Sequence, residues 1–316
     1  MLRLDQVTKV YRVGTFGGKE LRAVDGVSID IPDGEVVSLI GESGSGKSTI
    51  GKMILRLIPA SSGRISLDGV DVSGLHAAGL KDYYRKVQGV FQDPFSSYNP
   101  IFKADRVFSV IQHEFYPGVD AATWRAKLEG ALRDVGLNPE HVLNKFPHQL
   151  SGGQLQRFLI ARALLLDIRF LVADEIISML DASTRIDVLN LLAGLRGRGL
   201  SILFITHDLS LANYISDRAA ILYRGRVVEI GKAGTIFRQP LHPYTRMLVD
   251  SVPRLDRKWQ MQTSVETTPA PTGQTTACVY LDRCPLAYEK CRQRPPLVEI
   301  AAEHSVACWK VTPAPV

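Results

Sequence analysis

Up to about residue 235 the chain alternates short β-rich apolar runs with longer stretches of helical period. Runs at 35–40, 170–173 and 201–205 are nearly continuous in apolar residues and end in polar clusters, the pattern of buried strands in a mostly parallel sheet flanked by helices. Helical periodicity covers 50–58, 121–135 and 154–166. Between about 100 and 165 no convincing strand interrupts it, which predicts a helical insertion in the sheet domain. Such α/β chains bind ligands outside the carboxyl ends of their strands. Beyond Pro253 the pattern fails. Residues 262–273 are polar and rich in Pro and Thr, too poor in large side chains to pack a core, and predict a linker to a small terminal module. No internal repeat or long heptad run is present.

Composition adds limits. With 316 residues, 45% hydrophobic and 22% charged, the chain can bury a sizeable core, which excludes wholesale disorder and fibrous designs. No stretch reaches about 18 uninterrupted apolar residues, so no membrane span is predicted. Residues 1–10 carry Asp5 and lack a signal-peptide core, so no secretory leader is expected. The formal charge of +6, spread over this length, points to no particular partner. Cysteine is more telling, because all four lie between 278 and 308.

Candidate chemistry begins at Gly41-Glu42-Ser43-Gly44-Ser45-Gly46-Lys47-Ser48-Thr49, a phosphate-binding loop pattern between a predicted strand and a predicted helix. Its glycines let backbone N–H groups turn inward around phosphates, and the following helix offers its positive end. Lys47 would meet the β- and γ-phosphates and Ser48 would ligate Mg²⁺. The run 170–173 delivers Asp174 and Glu175 to its carboxyl end, Asp174 toward the Mg²⁺ shell and Glu175 toward the attacking water. A second glycine-rich helix start, Leu150-Ser151-Gly152-Gly153-Gln154, has Ser151 as N-cap. One subunit hardly needs two phosphate cradles for one phosphate group, which suggests that the second serves a nucleotide on another subunit.

In these motifs the chain resembles the ATP-binding-cassette (ABC) ATPases of transporters. Residues 150–154 match the family signature, Gln92 its Q-loop, His207 its switch histidine, and Tyr11 its adenine-stacking aromatic. The resemblance spans residues 1–235 and implies an α/β P-loop NTPase (RecA-like) cassette with an inserted helical subdomain at about 93–165. It further implies a head-to-tail dimer, with ATP between one phosphate loop and the signature Ser151, Gly152, Gly153 and Gln154 of the other subunit. Asp181 would line that seam, Glu175, His207, Gln92 and Lys47 would be catalytic, and Ser48, Gln92 and Asp174 would serve Mg²⁺. The family usually has Pro after the catalytic Glu, and here Ile176 and Ile177 follow.

Cys278, Cys284, Cys291 and Cys308 are spaced C-x5-C-x6-C-x16-C. Without an export signal two disulfides are disfavoured. Spacing alone leaves zinc, an iron–sulfur cluster and free buried thiols open. Together with Leu241-His242-Pro243-Tyr244 and Arg283-Cys284-Pro285 they resemble the oligopeptide/dipeptide importer subgroup, which implies a [4Fe–4S] cluster, zinc being the alternative. The subgroup divides the chain into the cassette, an extension and linker at 236–277, and a four-cysteine module at 278–316. Its implied assembly is a second, paralogous ATPase subunit, two transmembrane permease subunits and an extracytoplasmic binding protein, with this chain peripheral on the cytoplasmic membrane face. Nucleic acid is not an expected partner. Peptide is the expected cargo, sugars or oligosaccharides the alternative, and a soluble non-transport ABC ATPase the contrasting class.

Overall fold

A computed structural model describes residues 1–14, 18–252 and 276–311. Two compact units divide it, one made of Met1–Gly74 and the chain from Leu203 on, the other of Leu75–Ile202. The expected linker at 262–273 lies outside the described residues.

The first part of unit one holds β1 (Leu2–Val13), β2 (Lys19–Ile31), β3 (Val36–Ile40), α1 (Lys47–Ile54), β4 (Ser62–Leu67) and β5 (Val70–Asp71). Unit two follows with α2 (Ala77–Lys86), β6 (Val87–Val90), α3 (Arg106–Phe115), α4 (Ala121–Asp134), α5 (Pro139–Val142), α6 (Gly152–Leu164), β7 (Phe170–Asp174) and α7 (Ala182–Gly197). The chain then continues through β8 (Ser201–Thr206), α8 (Leu209–Ile215), β9 (Arg218–Tyr223), β10 (Arg226–Lys232), α9 (Ala233–Arg238), α10 (Pro243–Asp250), β11 (Val298–Ala301) and β12 (His304–Val306).

In unit one, β2-β1-β4-β5 form an antiparallel sheet, and a second sheet runs β11-β12-β10-β9-β3-β8. Its centre is apolar on both faces, since every residue of β3 and β8 is buried. The expectation of a mostly parallel sheet holds for β3 beside β9 and fails toward the edge, where β10, β12 and β11 pair antiparallel. For β9 and β10 the cause is a short connection. Tyr223 faces Arg226 across a two-residue turn whose members, Arg224 and Gly225, both have positive φ (45° and 80°), the conformation whose twist matches an antiparallel hairpin. The cysteine segment also adds strands instead of standing apart, because β12 pairs Val306 with Glu229 and His304 with Gly231.

Unit two pairs β6 with β7 in parallel and is otherwise helical between Arg106 and Leu164. Phe108 of α3 and Phe158 of α6 meet with ring centroids 4.5 Å apart, both fully buried. Asp120 caps α4 through its carboxylate, accepting from the N–H groups of Ala122 and Thr123. No helix among the described residues is long and apolar enough to cross a membrane.

Candidate functional site

In unit one the phosphate loop joins β3 to α1. Gly46 stands at the N-cap of α1 with φ 103° and itself supplies no side-chain cap to the helix start, the geometry in which a helix N-terminus can meet an anion. Only glycine fits there: a Cβ would lie 2.3 Å from the Ala23 carbonyl oxygen. Gly41 is buried, Ser43 and Gly44 are exposed at the tip, and Ser48 and Thr49 are half-buried in α1. Lys47 is 5% exposed, and its ammonium donates to the carbonyls of Gly41 (2.7 Å) and Glu42 (3.0 Å). This is a desolvated cation held over the loop by carbonyl dipoles. Ser45 is buried with its hydroxyl oxygen unbonded to protein. A buried orphan hydroxyl inside a glycine cradle fits a phosphate ligand, which would complete it.

Tyr11 lies on β1 opposite Leu21, two positions from Ala23, so the antiparallel sheet carries it along the strand that touches Gly46. Lys9 lies over its ring at 5.2 Å. His207 is exposed just beyond β8, and Asp208 after it caps α8 by accepting from Ser210 and Leu211 N–H groups.

Unit two carries the other expected residues. Gln92 is exposed two residues after β6. The strand end is gripped by α6, because Gln156 donates to the Phe91 carbonyl (3.3 Å) and Arg162 to that of Gly89 (2.6 Å). At the start of α6, Ser151 and Gln154 form a reciprocal capping box, with the Gln154 N–H on the Ser151 hydroxyl at 3.1 Å and the Ser151 N–H on the Gln154 amide oxygen at 2.9 Å. Such a box stabilises a helix start by about 1 kcal/mol.

Gly153 is closed in by the next element: a Cβ there would stand 2.5 Å from Cγ2 of Thr184, in the first turn of α7. Asp181 caps α7, accepting from the Thr184 N–H (3.0 Å) and from the Ser183 (2.7 Å) and Thr184 (2.8 Å) hydroxyls. The Ser183 hydroxyl above all, with Thr184, holds its carboxyl well below the usual carboxylate range. The signature and the expected seam residue are thus one packed corner. Gly153→Ala is expected to displace that corner and lower turnover by about tenfold, and Thr184→Ser, which removes the obstructing methyl, to restore most of it. Equal turnover in Gly153→Ala with and without Thr184→Ser would show that the contact is irrelevant.

Asp174 ends β7 and is 7% exposed. Glu175 follows in the left-handed region, φ 50°. Where the family usually has Pro, Ile176 and Ile177 are both buried, and the Ser178 N–H and hydroxyl return to the Glu175 carbonyl at 3.1 and 2.9 Å. The Ile-Ile turn is therefore closed by packing and by Ser178.

The four cysteines line one small, largely enclosed and almost wholly apolar cavity with His242, Tyr280 and Trp309. The Cys278 N–H donates to the Cys291 carbonyl at 2.9 Å, fixing the two segments together. Burial pushes the Cys278 and Cys284 thiols up, and pushes His242 down to about 4, so its ring is neutral at neutral pH. Its Nδ1 accepts the Tyr244 N–H, capping α10. The expected ligand set is not assembled as such: among the described residues no group of three or more His, Cys, Asp or Glu is set to hold a metal ion.

Sequence reasoning missed the polar group behind this cavity. Glu229, wholly buried on β10, accepts from the Leu241 and His242 N–H groups (2.8 and 2.9 Å) and from His304 Nε2 (2.7 Å). The only signal was a lone acid in an apolar strand.

Residues 24–178 match the family model of the ABC transporter, and residues 228–291 that of the oligopeptide/dipeptide transporter C-terminal region. The chain is 38% identical over 300 residues to the oligopeptide transport ATP-binding protein OppF of Salmonella typhimurium, covering 93% of this chain and 90% of that one. OppF of Escherichia coli is 37% identical over the same length. Among solved structures, the ATP-binding cassette MJ0796, a post-hydrolysis dimer bound to ADP and Pi, superposes with a TM-score of 0.66 at 31% identity, covering 74% of this chain and 99% of that one. The cbiO1 subunit of Clostridium perfringens gives 0.64 at 25% identity, with 75% and 90% covered. With its phosphate loop, capped signature helix and C-terminal extension, the chain belongs to the ABC transporter ATPases, in the group that carries the oligopeptide/dipeptide transporter C-terminal region.

Proposed function

We propose that this chain hydrolyses ATP to power a binding-protein-dependent importer of di- or oligopeptides. The observation that carries this is the pairing, in one chain, of a complete phosphate loop with a capped signature helix and the C-terminal region of peptide transporters. Lys47, already desolvated and aimed by carbonyls, would neutralise the β- and γ-phosphates. Ser48, Asp174 and Gln92 would hold Mg²⁺, which supplies charge neutralisation at the transferred phosphoryl group. Glu175 would orient and deprotonate the attacking water, and His207 would hold the γ-phosphate. Tyr11 would stack on the adenine. Ser151, Gly152, Gly153, Gln154 and Asp181 would complete the site of a second ATPase subunit, read as a paralogue. Peptide cargo comes from the relatives' names and the extension they share.

The test is reconstitution with permease subunits and binding protein in vesicles. Peptide-loaded binding protein is expected to stimulate ATP turnover and peptide uptake together. Stimulation by an oligosaccharide-loaded protein alone would replace the peptide reading, and two copies of this chain in the purified complex would replace the paralogue.

The same reading gives Cys278, Cys284, Cys291 and Cys308 a [4Fe–4S] cluster. What supports it is that all four thiols line one small cavity. The apolar lining suits a thiolate-ligated group shielded from water, and bound there it would cross-link the segments of a region too small to build much core. Anaerobic purification with metal and sulfide analysis decides it: about four irons and four sulfides per chain are expected, and stoichiometric zinc without iron would overturn it.

A further inference from the structure

Residue 42, the second of the phosphate loop, is gripped at all three of its polar groups. Its carbonyl accepts from Lys47, at 3.0 Å. The other two groups are met by the C-terminal extension. Its N–H donates to the Tyr244 hydroxyl at 3.0 Å, and both its carboxylate oxygens accept from Arg283 Nη1, at 3.1 and 2.9 Å. Neither partner is free to follow the loop. Tyr244 is wholly buried on α10, with its ring 4.5 Å from that of Tyr223 and 5.4 Å from that of Tyr280. Arg283 lies 5.9 Å from the ring centres of both Tyr223 and Tyr280, with Nη1 3.5 Å from the Tyr223 hydroxyl.

We propose that Arg283 and Tyr244 are positioning residues of the ATP site, fixing residue 42 so that Lys47 is aimed by a base built from the C-terminal extension. Magnitudes favour position over stability. Glu42 is 40% exposed, and ion pairs open to solvent add little to folding. A tyrosine and an arginine on rigid aromatic footing can nonetheless hold a loop within the fraction of an ångström that phosphate contacts require. Arg283 immediately precedes Cys284, so disorder at the thiol cavity reaches the loop through one residue, whatever group the thiols carry.

The experiment is equilibrium binding of Mg·ATP to the full chain by calorimetry, with unfolding midpoints for each variant. Arg283→Ala, Tyr244→Phe and Glu42→Gln are each expected to weaken ATP about tenfold, the effect of impairing one hydrogen bond that holds the loop, with midpoints unchanged. Arg283→Ala combined with Glu42→Gln should bind no worse than either alone, and Arg283→Lys should recover part of the loss. In the assembled transporter the same variants should raise KM for ATP more than they lower kcat. ATP affinity in Arg283→Ala equal to wild type, additive losses in the double variant, or losses that track unfolding without recovery by Arg283→Lys would each overturn the proposal. The inference rests on the phosphate-loop reading, which Lys47→Ala tests separately: unchanged ATP binding there would sink that reading instead.

Discussion

Glu175→Gln is expected to cut ATP turnover by about 10²- to 10⁴-fold, the contribution of a positioned general base, while ATP binding persists. The expectation rests on how the backbone presents this side chain. β7 is buried throughout and ends at Asp174, so the next residue is the first that can leave the sheet. It does so with φ 50°, a left-handed conformation that costs a non-glycine residue roughly 1–3 kcal/mol. The cost is sustained by the buried Ile176 and Ile177 behind it and by Ser178, which closes on the Glu175 carbonyl. Glutamine keeps the size and polarity of the side chain and loses only the ability to take a proton, so the backbone should not relax. Initial rates beside ATP affinity check this. Turnover near wild type would exclude Glu175 as the base, and loss of ATP binding would mean that the substitution disturbs the loop and not the chemistry.

How far the sequence led depends on how locally each feature is determined. β3, β7 and β8 were legible because strands buried on both faces read as unbroken apolar runs. The signature helix was legible because Ser151 and Gln154, three apart, satisfy each other without help from elsewhere. The long antiparallel β1–β2 pair was missed. Its register shifts at Leu4/Val7, Val7/Lys9 and Lys9/Val10 break the period-two alternation that would have revealed it. The attachment of β12 to β10 was beyond reach for another reason: three residues pair with partners about 75 positions away, and nothing local encodes that choice. The cysteines were singled out by composition, yet only the fold brings all four to one cavity. Arg283 and Tyr244 stood in motifs already noted, but their contact with Glu42 joins residues some 200 to 240 positions apart.

Glu229→Ala is expected to destabilise the chain by about 3–5 kcal/mol, since each of three buried donors left unsatisfied costs about 1–3 kcal/mol, and to loosen the whole C-terminal extension. Glu229 is 0% exposed and accepts three donors from two different segments: the Leu241 and His242 N–H groups ahead of α10, and His304 on β12. Removing the carboxylate strands all three in an apolar setting, and two are backbone groups that no second substitution can silence. An order of effects follows. Glu229→Gln keeps an acceptor for one or two donors and should cost roughly 1–3 kcal/mol. His304→Leu leaves Glu229 its two amide donors and should cost less than Glu229→Leu. The pair Glu229→Leu with His304→Leu should not regain wild-type stability, because the amides stay unmet. Chemical unfolding of each variant measures this series. Wild-type stability in Glu229→Ala, or full recovery in the double leucine variant, would mean that water or rearranged backbone satisfies residues 241 and 242. The loop contact made by Tyr244 would then have to be anchored by the tyrosine cluster alone, since α10 would no longer be tied to β10 through its cap.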